Sequence, residues 1–470
     1  MSGLLLRGAE VGGELVDVRI GGGLVLELGR ALPRRDAAEQ VLAARGGALL
    51  PGLTDHHLHL AAAAADLAAT ACTPAAARTA GGLAAVLLAA EPDPAGWITG
   101  VRYQASVAGD LDAAALDRLR ADVPVRIRHR SGGLWVLNSR AAAAVGLATA
   151  DHPGVERDAG GRPTGRLRHA DDWLRTRLPH SGPEPLAALG RRLADHGITS
   201  VTDAEPRTGS GAVAALAAAC ASGALPQRVQ LLGVPPETAL PPDGPTAGPW
   251  RIDLADRDTA DPAGAAAEIA AAHRTGRPVA VHCGPRGSLR LLLAALGAAG
   301  VLAGDRIEHP ELVPAAAVPE IARLGVPVVA RPGFLAESGD AYLRALAPDR
   351  HGDLHRAASL AAAGVPLALS SDAPYGPLDP WAVMRAAVLR LTAAGEVLGA
   401  AERMTAGRAL AGYLSPARHP GGRVRRVRAG AVADLVLLAA PIGEAVRRLD
   451  TGLVRLTLIG GRPVGGTDLG

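Results

Sequence analysis

The chain has 470 residues, of which 48% are hydrophobic and 20% charged, with a formal net charge of +3. That balance is globular and excludes a disordered, collagenous or coiled-coil protein. At about 100–200 residues per domain, the length accommodates two or three domains, or one large α/β barrel with an accessory. Its three cysteines, Cys72, Cys220 and Cys283, are scattered and lack metal-type spacing, so no disulfide framework is expected and a cytoplasmic setting is. Met1–Arg7 carries no signal-like pattern, and the longest apolar tracts, such as Ala212–Ala221, are too short to span a bilayer. There is no lysine, so every one of the 49 cationic residues is arginine, which removes Schiff-base, lysine-based phosphate-loop and carbamylated-lysine chemistry. Arginines and acids are interspersed, and only ten residues are aromatic, so neither a basic face nor a base-stacking platform for nucleic acid is expected. The one locally basic run, Arg423–Arg428, reads as a solvated loop.

In chain order, residues 1–50 read as short strands with turn glycines, at Gly3–Arg7, Leu15–Ile20 and Leu24–Leu28. Asp434–Leu438, Leu453–Ile459 and Arg462–Val464 repeat the style, so residues 1–50 and 415–470 are expected to form one composite β-sandwich domain. Between them, strand candidates are Ala48–Leu53, Ile198–Asp203, Arg228–Leu232, Trp250–Leu254, Val279–His282, Arg306–His309, Val326–Ala330 and Leu367–Ser370. Helical stretches such as Ala263–Arg274, Leu289–Ala299 and Ala315–Leu324 alternate with them. Eight strands alternating with helices predict an α/β fold with a (β/α)8 TIM-type barrel over residues 51–414. An insertion at about residues 61–196 follows the first strand and has one strand-like run of its own, Pro124–Arg130.

Chemistry gathers at the ends of these strands. Asp55-His56-His57-Leu58-His59 lies just past the first, and His57 and His59, two apart on extended backbone, point to one side. Later strands end in His282, in His309 and in Asp372. The C-terminal ends of barrel strands converge on one mouth, so His57, His59, His282, His309 and Asp372 make a nitrogen/oxygen set suited to Zn²⁺ or a similar divalent ion.

These residues are part of a longer resemblance, to the metal-dependent amidohydrolase superfamily in its N-substituted formamide deformylase-like branch, amidohydrolase family 3. It rests on Leu50-Pro51-Gly52-Leu53-Thr54-Asp55-His56-His57-Leu58-His59, Asn138-Ser139-Arg140-Ala141 and Pro163-Thr164-Gly165-Arg166-Leu167. Gly197-Ile198-Thr199-Ser200-Val201, Asp305-Arg306-Ile307-Glu308-His309, Ser370-Ser371-Asp372-Ala373-Pro374 and Gly430-Ala431-Val432-Ala433-Asp434-Leu435 extend it over nearly the whole chain. The resemblance implies that His57 and His59 are first-strand ligands, His282 and His309 the fifth- and sixth-strand histidines, and Asp372 a ligand and proton shuttle. A divalent metal lowers the pKa of bound water from about 16 to near 7. Asp372 would take the proton as that water attacks a carbonyl and return it to the leaving nitrogen, while the metal and a histidine steady the oxyanion.

The chain departs from the family on the fourth strand. Where many relatives carry a metal-bridging carboxylated lysine, the counterpart here is Arg251, which stays charged and is no substitute. One reading is a single metal with His57, His59, His282 and Asp372 as ligands and His309 bonded to the bound water; the other has Asp253 or Asp256 replace the bridge. The single-metal reading is preferred.

Arg331 after the seventh strand suits a substrate carboxylate or a structural ion pair, and Tyr375 is placed to reach substrate. Trp135 and Asn138 on the insertion are candidates to wall the pocket, with core packing the competing account for Trp135. His129 and His169 read as solvated, and Cys283 as a buried apolar residue, not a nucleophile. Specificity is expected from the insertion and from Pro332–Arg356. The sequence thus predicts a zinc-type hydrolase of a non-peptide C–N bond of the amide or formamide kind. The alternatives are a cyclic amide or imide hydrolase or heterocycle deaminase on the same site, and an inactive barrel that binds without catalysis. The expected partners are a small-molecule substrate and at most a second copy in a homodimer, with no nucleic acid and no membrane.

Overall fold

The structure is a computed structural model that describes residues 3–467 apart from 75, 131, 180–185, 207, 236, 255–260 and 285–287. Asp256, one of the two carboxylates offered for the bridge, lies outside the described residues. The chain forms two compact units, Met1–Leu60 with Leu186–Gly470, and Ala61–Pro185.

In the larger unit the two ends of the chain build two small sheets. Leu24–Gly29, Glu14–Gly21 and Leu4–Val11 pair antiparallel, and Gln40–Ala43 joins Leu4–Val11 in parallel. The first hairpin closes on Gly12-Gly13, both at positive φ, as a tight turn matched to strand twist requires. Leu49–Pro51, Leu435–Leu438, Val454–Ile459 and Arg462–Gly465 make the second sheet, also antiparallel. The sheets share one apolar cluster, in which Leu6, Val18 and Ile20 from the N-terminal strands meet Leu49, Leu435 and Leu458.

The middle of the unit is parallel. One sheet runs Thr246–Ala247, Arg228–Leu231, Ile198–Asp203, Leu53–Leu58, and the other Trp250–Asp253, Val279–His282, Arg306–Glu308, Val328–Ala330, Leu367–Leu369. Backbone bonds link the two sheets on both sides, Arg251 N to Leu232 O (3.3 Å) on one, and Asp372 N to His57 O (2.9 Å) with His59 N to Ala373 O (2.8 Å) on the other. Their Val, Ile, Ala and Leu runs suit strands covered on both faces. Helices Pro262–Arg274 and Ser288–Ala299 lay Ile269, Leu292 and Leu296 onto Val281, Ile307 and Val328. Asp261 caps the first of these at Gly264 N (2.8 Å), with Pro262 in its opening turn.

The first parallel strand is not Ala48–Leu53. Leu49–Pro51 pairs with Leu435–Leu437 in the terminal sheet, and the parallel strand starts at Leu53, so the histidine pair rides within the strand's end and just beyond it. The switch takes the single residue Gly52, whose N donates to Asp434 O (2.8 Å), while Leu53 N donates to Gly197 O (2.8 Å). A Cβ on Gly52 would stand 2.1 Å from Thr199 Cγ2, so only glycine lets the strands approach here. Arg423–Arg428 is a loop with Arg423, Arg426 and Arg428 exposed, as expected, and one of its arginines departs from that reading. Arg425 is no solvated arginine: it donates to Gly52 O, to Thr54 Oγ1 (2.8 Å) and to Leu414 O (3.2 Å), and burial lowers its pKa.

The smaller unit holds a six-stranded sheet in the order Val155–Arg157, Pro163–Arg168, Leu134–Leu137, Val125–His129, Ile98–Tyr103, Thr70–Ala71. Of these, the sequence foreshadowed only Val125–His129. Asn138 is consumed by structure: its carboxamide oxygen accepts from Val125 N (3.0 Å) and Ala141 N (2.9 Å), and its Nδ2 donates to Arg120 O (3.1 Å) and Val123 O (2.8 Å). Trp135 is buried, donates from Nε1 to Asp171 (3.0 Å), and lies under the guanidinium groups of Arg126 and Arg128, 5.2 and 5.4 Å from the ring. His169 is exposed and His129 half-buried, and burial with Arg130 and Arg166 lowers the pKa of His129.

Candidate metal centre

His57, His59, His309 and Asp372 meet where the parallel strands of the larger unit end. The Nε2 atoms of His57, His59 and His309 lie 3.7, 3.6 and 3.8 Å from one atom, Oδ1 of Asp372. His57 and His309 stack edge to face at 4.0 Å between ring centroids. His282 stands further out, 5.4 Å from the His309 ring and 6.5 Å from His57. Among the described residues, two groups bring donor atoms close enough to share an ion: His57, His59 and Asp372, and His57, Glu308 and His309.

The backbone holds these groups in place at a cost. His309 and Asp372 both follow strands and both take a left-handed conformation, φ 51° and 52°, which an ordinary side chain adopts at about 1–3 kcal/mol. Asp372 N to His57 O (2.9 Å) and His309 N to Val329 O (2.9 Å) fix these turns. Asp55, buried beneath, accepts from His57 N (3.2 Å) and Ser371 N (3.1 Å), tying the two ligand-bearing segments together, and burial pushes its carboxyl up to about 7.

The donor set suits a divalent cation. Among the described residues, His57 Nε2, His282 Nδ1 and both ring nitrogens of His309 are buried without a hydrogen-bond partner, a costly state unless something else engages them. Burial lowers the pKa of His57 and His309 far below 6.5 and that of His282 to about 4, so these imidazoles are neutral and able to donate. For His59, burial pulls down but Asp372 and Glu205 outweigh it, raising the pKa to about 9. Burial would raise Asp372, but His309 and Arg331 hold it well below the carboxylate range.

Carboxylates not singled out in the sequence surround these groups. Glu308 Oε2 lies 2.7 Å from His57 Nδ1, Glu205 Oε1 3.5 Å from His59 Nδ1, and Asp203 accepts from Leu60 N (2.9 Å). A local signal existed for one of them. Arg306 and Glu308 are two apart on a fully buried strand, so they share a side and must satisfy one another or a neighbour.

The remaining candidates fall into place as follows. Arg331 donates to Asp372 Oδ2 and to Glu311 (3.1 Å), the ion-pair geometry of its two readings, and its guanidinium lies 4.2 Å over Phe334. Tyr375 sets its ring edge to face with His59 at 5.4 Å. Arg251 donates to Ala204 O and to Asp253 (3.2 Å), so the carboxylate offered for the bridge is already paired with the arginine beside it. Cys283 is fully buried, and burial pushes its thiol up to about 12, which leaves no nucleophile.

The chain is similar to known proteins over nearly its whole length. A model of the amidohydrolase family matches residues 40–465. An N-substituted formamide deformylase from Arthrobacter pascens is 26% identical over 497 aligned positions, covering 90% of this chain and 89% of that protein. Among solved structures, an uncharacterized metal-dependent hydrolase from Pyrococcus horikoshii superposes with a TM-score of 0.73 at 19% identity, over 93% of this chain and 97% of the other. N-isopropylammelide isopropylaminohydrolase from Burkholderia multivorans follows the same fold, with TM-score 0.55, 19% identity and 99% of each chain covered. So does a mutant atrazine chlorohydrolase from Arthrobacter aurescens, complexed with zinc and atraton, with TM-score 0.57, 14% identity, and 98% and 95% covered. No helix among the described residues is long and apolar enough to cross a membrane. The chain belongs to the amidohydrolase family, and with it to the metal-dependent hydrolases that act on carbon–nitrogen bonds.

Proposed function

We propose that the protein cleaves the carbon–nitrogen bond of a small N-substituted amide or formamide at one divalent ion, zinc by preference. His57, His59, His309 and Asp372 would hold that ion, with His282 beside them. The observation that carries this is the convergence of three imidazole Nε2 atoms, within 3.8 Å, on Asp372 Oδ1. The substrate class is supported by the relative from Arthrobacter pascens. A single ion is supported by Arg251, whose fixed charge sits near the ligands and engages Asp253.

A divalent ion there would supply Lewis acidity, polarising the amide carbonyl and making water acidic enough to act near neutral pH. Asp372, ionised and held by Arg331 through Oδ2, presents Oδ1 to the reacting face, accepts the proton of the attacking water and returns it to the leaving nitrogen. His309 lies beside this carboxylate and would turn Nε2 toward the ion. Tyr375 walls the His59 side. Arg331 would meet a substrate carboxylate only while remaining on Asp372 and Glu311. We read residues 51–414, outside the insertion, as one closed (β/α)8 barrel, supported by the backbone bonds at both seams. Residues 1–50 and 415–470 we read as a composite β-sandwich, supported by the shared apolar cluster.

Metal analysis of the purified protein, with turnover of N-substituted formamides and amides measured before and after chelation, tests the proposal. Activity should vanish on chelation and return with Zn²⁺, and Asp372→Asn should lose turnover while melting as a folded protein. A confirmed activity indifferent to chelation overturns the reading. Ring opening or ammonia release from a cyclic imide or an amino-heterocycle in the same panel would move the substrate class.

A further inference from the structure

Behind the proposed ligands lies a buried relay that the hydrolytic steps do not use. Glu308 is completely buried, and its Oε2 sits 2.7 Å from His57 Nδ1. Its other oxygen accepts from Arg306 Nε, and Arg306 Nη2 donates in turn to the carbonyl oxygen of His56 (2.8 Å). The circuit closes on itself: the Arg306–Glu308 strand grips the backbone of residue 56 and the ring of residue 57, 250 and 251 positions away in sequence. The free end of the same imidazole, Nε2, has no hydrogen-bond partner among the described residues and faces Asp372 Oδ1 at 3.7 Å.

We propose that Glu308 is a positioning residue, which keeps the proton of His57 on Nδ1 so that the Nε2 lone pair points at the metal position, with Arg306 fixing which carboxylate oxygen does so. The inference rests on the metal-centre reading above. A carboxylate has no hydrogen to donate, so a contact at 2.7 Å requires the proton on Nδ1. The tautomer that results leaves Nε2 as the donor atom. Arg306 donates only, so it holds Oε1 and leaves Oε2 for the ring. Its permanent charge also makes Glu308 a poor ligand itself, although Glu308 lies within sharing distance of His57 and His309.

Glu308→Gln is the discriminating variant because it is nearly isosteric. Arg306 can bond only the amide oxygen, which turns the amide NH₂ toward His57 Nδ1. That nitrogen must then accept, and the proton moves to Nε2, where it blocks coordination. On the purified full-length protein, Zn²⁺ affinity measured by chelator competition should fall about 10- to 100-fold, while the metal-free variant melts below wild type, because Arg306 keeps its hydrogen bond but loses its counter-charge. Wild-type affinity in the variant overturns the inference and leaves the metal reading standing. A fall in stoichiometry from two ions to one overturns it as well, because Glu308 would then be a ligand. A wild-type protein that binds no Zn²⁺ sinks the metal reading and this inference with it. Should the variant not fold, ¹⁵N-histidine NMR of metal-free wild-type protein decides. His57, identified as the signal missing from His57→Gln, must be protonated on Nδ1, and protonation on Nε2 overturns the assignment.

Discussion

Arg331 grips Asp372 from behind: Nη1 donates to Oδ2, while Oδ1 of the same carboxylate faces three imidazoles. The other arm, Nη2, reaches Glu311 at 3.1 Å, so one largely covered cation serves two buried carboxylates. Removing one partner of a buried pair strands the other charge, which costs about 3–5 kcal/mol. Arg331→Gln should therefore lose about that much in denaturant-induced unfolding of the metal-free protein. With Zn²⁺ bound the loss should shrink, because the ion neutralises Asp372 and only Glu311 stays stranded. Equal losses with and without metal would show that Asp372 does not share its charge with the ion.

His355 gives a pH dependence whose sign is fixed by its surroundings. It is buried, Nε2 has no hydrogen-bond partner among the described residues, and the ring lies 6.5 Å from Phe334 and 6.2 Å from Tyr342. Burial first, then Arg331 and Arg390, hold its pKa well below 6.5. Above pH 6.5 neither folded nor unfolded chain protonates it, and stability is at its plateau. Below pH 6.5 the unfolded chain takes up a proton that the folded one refuses, so stability falls as pH drops, by about 1.4 kcal/mol per pH unit from this group. Its φ of 43° is left-handed, which asparagine tolerates well, so His355→Asn keeps the turn and removes the titration. Between pH 7 and pH 5 the variant should lose less unfolding free energy than wild type, though not zero, since His56 is also buried with a lowered pKa. Identical losses would remove His355 from the acid sensitivity.

The candidate site was legible in the sequence for a simple reason. Parallel strands buried on both faces read as apolar runs, so Val279-Ala280-Val281 before His282, and Leu367–Leu369 shortly before Asp372, announce where each ends and what stands there. The start of the first strand was not legible. Leu49–Leu58 is one apolar-to-polar stretch, and only the close approach of Thr199 to Gly52 divides it between two sheets. The carboxylates behind the ligands were hidden because their partners are distant: Glu308 meets His57 across 251 positions, and Asp203 meets Leu60 across 143. In the smaller unit, strands such as Pro163–Arg168 alternate arginine with apolar residues and carry glycine, so they lack the run that marks a buried strand.

Gly52 is the joint on which the histidine-bearing strand turns, and it makes a test of that geometry. A methyl group there would lie 2.1 Å from Thr199 Cγ2, 2.3 Å from Oγ1 and 2.7 Å from Cβ, on a threonine that is fully buried. Gly52 is not in the left-handed region, so the constraint is space alone, and Gly52→Ala must push apart two strands whose backbones are hydrogen-bonded. Overpacking of this kind costs about 1–3 kcal/mol. His57 lies five residues further along the same strand, so the displacement should also weaken Zn²⁺ binding in the chelator competition. Thr199→Ala removes the two nearest atoms but leaves Cβ, so it relieves the clash in part. In urea unfolding the double variant should therefore lose less than the two single losses added together, by at least 0.5 kcal/mol on the usual scale for residues in contact, roughly. Strict additivity would mean that residue 52 is not held to glycine by residue 199, and the account of how the chain passes from one sheet to the other would fail.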